Sequence, residues 1–363
     1  MKKTTEVKQM ELTIANANPS PGPSFADPGE IGFGKIFTPH MFQMRYGRDR
    51  GWHDAEIVPL HPLALHPATS FIHYGASIFE SLKAYRREDG KIFLFRPEMN
   101  FKRMNASARR ICMPEIDVKF CITVIKELVR LDRDWVPKWP GTTLYIRPAM
   151  FADDPSLGVH VSPTYYFFII MSPVGSYFGN GSLKLWVEED CVRATHGGTG
   201  ASKMAGNYAG SLLAAERARQ KGYSQVIWLD AVEHRYVEEA GAMNIFFVVN
   251  REVVTPQLTD TILNGVTRDS ILRLCEQESI PATERKVSIT EIIAGLKDGT
   301  CTEVFGAGTA AVISPVSHLG YRDEEYQVGD GNPGPITKKL LDTLQGIQFG
   351  TKTGPSGWSL TID

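Results

Sequence analysis

What this chain lacks narrows its chemistry first. Its five cysteines, Cys112, Cys121, Cys191, Cys275 and Cys301, are an odd number and widely spaced, with no Cys-x-x-Cys pair. That excludes a disulfide scaffold and a thiolate metal cage, so the cysteines read as reduced thiols. Nine histidines include no His-Glu-x-x-His, which removes a zinc-hydrolase reading, and no metal is expected. No Gly-x-Gly-x-x-Gly follows a strand and opens a helix, so a nucleotide-binding dehydrogenase is disfavoured. The most apolar run, Phe167 to Met171, is far too short to span a bilayer. A formal net charge of −2 offers no general attraction to nucleic acid or an anionic membrane. The N-terminus has no long apolar stretch, and Glu6 and Glu11 argue against a transit peptide, so a cytoplasmic protein is expected.

What is present is enough for a large core. The 363 residues are 42% hydrophobic and 22% charged, as in a globular protein with two domains. Residues 1–55, rich in proline and glycine, are expected to form an arm packed on the body. An α+β domain is expected over 56–172. Its strands are placed at 71–85 and 91–95, joined by a turn at Asp89-Gly90, and at 142–151 and 164–171. Helices are expected from Pro97 and over 118–131. The turn-forming stretch 173–182 reads as a linker, and 183–363 as a larger second domain. In that domain one helix is expected over 205–221, another over 267–279, and a capping box at Ser288 to Glu291 opening a third. A single strand over 303–315, interrupted at Gly306 and Gly308, is expected to let a ligand approach the backbone.

The most informative segment is Thr195-His-Gly-Gly-Thr-Gly-Ala-Ser-Lys-Met-Ala-Gly-Asn-Tyr. It sets Lys203 among small residues. An exposed lysine is a solvated ammonium, whereas one crowded by backbone can lose its proton and act as a nucleophile. On this segment alone, a mobile loop leading into a solvated helix is an equal alternative. Gly265-Val-Thr-Arg-Asp puts a glycine and a hydroxyl at a helix start, where unpaired amides favour an anion; a plain Thr267 cap fits as well. Gly306 to Ala311 offers a second set of amides with the Thr309 hydroxyl. A reactive lysine with two anion-binding loops suggests a phosphorylated aldehyde cofactor.

Several motifs in order carry a resemblance. Lys203-x-x-Gly-Asn-Tyr208, Glu239-x-Gly-x-x-Asn244, Gly265-x-Thr-Arg-Asp269 and Gly308-Thr-Ala-Ala311 follow His73-Tyr-Gly-Ala-Ser-Ile-Phe-Glu80 and Asn100-Phe-Lys-Arg-Met104. Over nearly its whole length the chain resembles the fold type IV pyridoxal-phosphate enzymes, and among them the branched-chain amino-acid aminotransferases. The resemblance implies an α/β (α+β) fold with a small N-terminal domain and a larger pseudo-barrel domain. It implies that Lys203 is the Schiff-base lysine and proton shuttle, and that Glu239 pairs with the pyridinium nitrogen of pyridoxal 5′-phosphate. Strand alternation sends its neighbour Glu238 to the other face. Arg103, Val266, Thr267 and Thr309 would hold the phosphate, and Tyr208 the phenolic oxygen, while Arg109 and Arg110 read as solvated helix charges.

By the same resemblance, Phe33, Tyr74, Phe79, Tyr145, Tyr177 and Ala310 would line the substrate pocket. Arg147 would seat the glutamate side chain beside Tyr145. Leu157 and Val159 would reach the neighbouring subunit's site, so a homodimer is implied. The expected reaction is transamination between Leu, Ile or Val and 2-oxoglutarate by a ping-pong mechanism. D-amino-acid aminotransferase, aminodeoxychorismate lyase and a catalytically silent binding protein are the rivals. Three departures stand out: Ser81 where glycine is common, Ala242 for a threonine, and no Cys-x-x-Cys at Ala311 to Ser314.

Overall fold

A computed structural model describes residues 10–15, 17–23, 25, 27–175 and 181–362. Two nine-stranded sheets carry the architecture. The first contains β1 (Thr13–Ile14), β2 (His40–Gly47), β3 (Gly51–Pro59), β4 (Ser77–Phe79), β5 (Leu82–Arg86), β6 (Ile92–Phe95), β7 (Thr143–Ala152) and β8 (Thr164–Val174). The second contains β9 (Leu183–Glu188), β10 (Gln225–Leu229), β11 (Val237–Ala240), β12 (Asn244–Val249), β13 (Glu252–Pro256), β14 (Ala282–Arg285), β15 (Cys301–Gly308), β16 (Val312–Tyr321) and β17 (Glu324–Gln327). A C-terminal strand, β18 (Ser359–Thr361), crosses back to β6 of the first sheet.

Residues 40–55 are therefore not an arm. They supply β2 and most of β3, which pair antiparallel, and β2 lies directly against β8. Alternating apolar residues decide this: Phe42, Met44 and Ile57 are fully buried with Phe167 in the first core. The early prolines end before β2 begins. β18 likewise takes residues 359–361 away from the second sheet.

Around the first sheet, α1 (Ser70–Tyr74) is short, whereas α2 (Pro97–Arg110) and α3 (Val118–Leu131) bury Phe101, Met104, Val124 and Leu128 on its face. Asp117 caps α3 by accepting the Phe120 amide at 2.9 Å. The short α4 (Ala205–Ala209) packs by β4 of the first sheet, and α5 (Leu212–Gln220), α6 (Val266–Gln277), α7 (Ile289–Asp298) and α8 (Pro335–Gln348) lie on the second.

Four expectations change. Residues 71–74 are helical, because Gly75 at φ 67° closes a turn before β4 starts. The helix at 205–221 breaks at Gly210-Ser211, where the Ser211 hydroxyl bonds the Tyr208 carbonyl at 2.7 Å and competes with the helix ladder. Ser288 makes no side-chain cap on α7; its hydroxyl meets Thr290, and Glu291 is taken by Arg285. Residues 303–315 are a hairpin, β15 folding back on β16 with Gly308 opposite Val312. Periodicity sees a run of strand residues and misses the tight turn inside it. The elements at 324–361, left unassigned by patterning, cover the second sheet and close the first.

Candidate active site

A cavity of about 390 Å³ lies between the two sheets. Its polar wall is built from the second sheet and the lysine loop. Lys203 is 8% exposed, and its Nζ donates to the Tyr208 hydroxyl at 3.0 Å. Its backbone is pinned on both sides. The Lys203 amide donates to Ser107 Oγ of α2 at 2.8 Å, and the Phe79 amide donates to the Lys203 carbonyl at 3.1 Å.

The glycine loop before it is hydrogen-bonded to its surroundings. Arg110 donates to the Gly197 and Gly198 carbonyls, Asp260 accepts the Gly197 amide at 2.7 Å, and Asn207 donates to the Thr199 and Ser202 carbonyls. Arg110 is exposed, as read, and also reaches across to the loop carbonyls. Gly200 is required by contact: a Cβ there would sit 2.5 Å from the Thr261 carbonyl oxygen.

Glu239 is 2% exposed on β11 and faces the cavity. Its Oε1 accepts the Leu263 amide at 2.7 Å, and its Oε2 pairs with Arg193 Nε at 2.9 Å. Burial pushes its carboxyl above the usual range, opposed by Arg193 and the Leu263 amide. Glu238 does not line the cavity; it accepts from the Thr261 hydroxyl, and burial pushes it up to about 7.

The start of α6 borders the same cavity. Gly265 precedes it without a side-chain cap, so the first-turn amides of Val266 and Thr267 have no capping side chain. The Gly-x-Thr-Arg-Asp motif divides its labour. Thr267 faces the cavity, Arg268 bonds the Pro256 carbonyl and Glu284, and Asp269 pairs with Arg96. Asn244 holds the approach by donating to the Leu263 carbonyl at 2.9 Å. A Cβ at Gly265 would lie 2.0 Å from Asn244 Oδ1.

Thr309, Ala310 and Ala311 form the turn between β15 and β16 at the cavity edge. Val312 closes that turn at φ 56°, a strained conformation for a β-branched residue. Lys83, buried on β5, spans the sheets and donates to the Ala310 carbonyl at 3.1 Å. Burial pushes its ammonium down to about 8.

The opposite wall comes mainly from the first sheet. Phe33 and Tyr145 meet edge to face at 5.2 Å, and Phe79 packs on Tyr208 at 4.8 Å. Arg147 lies over the Phe79 ring and donates to the Tyr145 hydroxyl at 2.9 Å, while its buried Nε has no partner among the described residues. Arg103 grips Glu80 with two hydrogen bonds, Nε to Oε1 at 2.7 Å and Nη2 to Oε2 at 2.9 Å, and also donates to the Asn264 carbonyl. Burial alone would raise Glu80, but the Arg103 charge and its hydrogen bonds hold it below the usual carboxylate range.

Of the residues singled out from sequence, Arg103, Lys203, Tyr208, Glu239, Val266, Thr267, Thr309, Phe33, Phe79, Tyr145, Arg147 and Ala310 line one cavity. Ser81 and Ala242 line it too. Tyr74, Leu157 and Val159 do not: they are exposed, the Tyr74 hydroxyl donating to the Leu157 carbonyl. Tyr177 and residues 176–180 of the expected linker lie outside the described residues. Pattern reading missed Arg193, Lys83, Gln225 and Asn244 as site builders, although Asn244 closes a quoted motif.

A buried lysine, a buried carboxylate and an uncapped helix start around one cavity are the parts list of a lysine-linked phosphate cofactor enzyme. Residues 77–319 match the family described as amino-transferase class IV, and the chain belongs to it. It is 50% identical over 339 residues to branched-chain-amino-acid transaminase 1 of Bacillus subtilis (strain 168), covering 93% of this chain and 95% of that one. Among solved structures, branched-chain amino acid aminotransferase from Escherichia coli is similar at 27% identity and a TM-score of 0.72, over 89% of this chain and 99% of that one. The branched-chain aminotransferase from Thermoproteus uzoniensis with norvaline is similar at 25% identity and a TM-score of 0.74, over 89% of this chain and 100% of that one.

Proposed function

We propose that this chain is a branched-chain amino-acid aminotransferase that uses pyridoxal 5′-phosphate to move the amino group between Leu, Ile or Val and 2-oxoglutarate by a ping-pong mechanism. The observation that carries this reading is the convergence of Lys203, Glu239 and the uncapped α6 start on one cavity. Those donors fit the cofactor's three demands: an amine for its aldehyde, an anion for its ring nitrogen and amides for its phosphate. Val266, Thr267, Thr309 and Arg103 would hold the phosphate, Glu239 the ring nitrogen and Tyr208 the phenolic oxygen. Bound, that group supplies an aldehyde for amino groups to condense with and a cationic ring that accepts the electron pair released at the substrate α-carbon.

The chain's own residues supply the rest. Lys203 Nζ, held by Tyr208 over the face of Phe79, would take up the proton that leaves the substrate α-carbon and pass it to the cofactor's aldehyde carbon, and would carry a proton the opposite way in the second half-reaction. Phe33, Phe79 and Tyr145 form an aromatic box that favours apolar side chains and excludes water. Arg147, with an unpartnered Nε in the same box, suits the carboxylate of a glutamate side chain. One pocket thereby serves both substrates.

Homodimer formation belongs to the same proposal. Ile72, Leu157, Val159 and Val161 are apolar and at least half exposed, an apolar surface that a second copy would cover. Tyr74 and the 157–159 loop would then reach the partner's cavity. The five cysteines are free, which supports the cytoplasmic assignment. No helix among the described residues is long and apolar enough to cross a membrane. The test is direct: purified protein with L-leucine, 2-oxoglutarate and pyridoxal phosphate is expected to form glutamate and the branched 2-oxo acid. No glutamate overturns the reading.

A further inference from the structure

Arg193 lies outside the cavity, behind Glu239, on the segment between β9 and the lysine loop. Its side chain is 7% exposed, and all three nitrogens are used. Nε meets Glu239 Oε2 at 2.9 Å, one terminal nitrogen donates to the Thr261 carbonyl at 2.7 Å, and the other to the Gly200 carbonyl at 3.1 Å. Gly200 stands three residues before Lys203. Thr261 stands two residues before Leu263, whose amide holds the other oxygen of Glu239. One planar guanidinium therefore connects the carboxylate, the strand that bears it and the two loops that frame the cavity.

We infer that Arg193 is a positioning residue for the proposed transamination: it holds the Glu239 carboxylate in place, favours its charged form and ties it to the loop that carries Lys203. The physical reason is that a carboxylate buried to this degree is stable as an anion only beside a fixed positive partner. Lysine could supply charge but not an ion pair together with two carbonyl hydrogen bonds from one planar group, so the residue type matters. The charged groups facing Glu239 are Arg193, Lys203 and Arg103, with Glu238 next to it on β11. Arg193 alone among them forms an ion pair with it. Removing Arg193 leaves a buried carboxyl that takes up a proton more readily, and a loop with one fewer tether.

The inference rests on the proposed function, and the experiment separates the two. Wild-type protein loaded with pyridoxal phosphate is measured first, and absence of a borohydride-reducible adduct at Lys203 overturns the functional reading itself. With that adduct present, R193M is expected to lose about 10- to 100-fold in kcat for leucine, with KM changed much less. In cofactor-free protein, the ionisation midpoint of Glu239, read from its infrared carboxylate band against E239Q, is expected to rise by about one to two pH units in R193M. On an E239Q background the Arg193 substitution is expected to add little, because both residues act through one contact. If R193M does not fold, R193K in the same cycle with E239Q reads the same coupling. An unchanged Glu239 midpoint, or losses in kcat that multiply fully in the double variant, overturns the inference.

Discussion

The two walls of the cavity are built on different physical plans. On the second-sheet wall, the groups around Lys203 and Glu239 are bonded into their surroundings: the lysine backbone to α2 and β4, the glycine loop to Arg110, Asp260 and Asn207, the carboxylate to Arg193 and Leu263. On the first-sheet wall, rings pack edge to face and Arg147 keeps a buried nitrogen without a partner among the described residues. The saturated wall suits chemistry that demands fixed geometry. The aromatic wall, with one spare donor, suits selection between an apolar and an acidic side chain. Under the proposed function, reaction and specificity would fall mainly to different walls.

The sharpest way to break this division is at Lys203. K203A is expected to abolish turnover and the borohydride-reducible adduct, measured by glutamate formation and mass spectrometry; an active variant would sink the mechanism. R147M strikes the other wall. It is expected to lower kcat/KM for 2-oxoglutarate by about 10- to 100-fold while leucine changes by no more than about threefold, since a charged hydrogen bond is lost for one substrate only. Equal losses for both would mean that the walls do not divide the work.

Smaller effects test the saturated wall as a fold element. G265A forces a Cβ against Asn244 and is expected to cost about 1–3 kcal/mol in denaturant unfolding, with weaker retention of the cofactor. Wild-type stability in that variant would show that the α6 approach is not tightly packed. The smallest effect concerns Glu238. Its folded value near 7 lies above its ordinary 4.5, so its contribution is fully present below 4.5 and is lost as pH rises through 7. E238Q is therefore expected to raise Tm by about 1–3 °C at pH 8, with the difference shrinking toward pH 5. The opposite pH trend would mean that Glu238 is paired as an anion.

Much of the site was legible from linear motifs because its residues sit in short, contiguous segments. Lys203 to Tyr208 forms one turn, Glu239 and Asn244 border one bend, and Gly265 to Thr267 opens one helix. Residues that act across segments were not legible. Arg110 clamps carbonyls 87 and 88 positions away, and Arg193 meets a carboxylate on another strand. Nothing in their sequence neighbourhood distinguishes them from solvated cations. Among fold elements, α2 and α3 were readable from amphipathic spacing, and the Asp89-Gly90 turn from its residue pair, with Gly90 at φ 81°. The β15–β16 hairpin was not, because its turn is cut from residues that also suit a strand.

The sequence by itself determined which chemical groups are available: one lysine in a glycine frame, one carboxylate in a Glu-x-Gly-x-x-Asn motif, one glycine-led helix start with a threonine hydroxyl. Local spacing suffices for that, since each motif needs only its own backbone. Tertiary structure alone decided which charges are paired and which are spare. It turned Arg110 into a loop clamp, set Arg193 behind Glu239, and left Arg147 open to the cavity. Burial and partner geometry depend on chain segments brought together from both sheets, and no single stretch of sequence encodes that meeting.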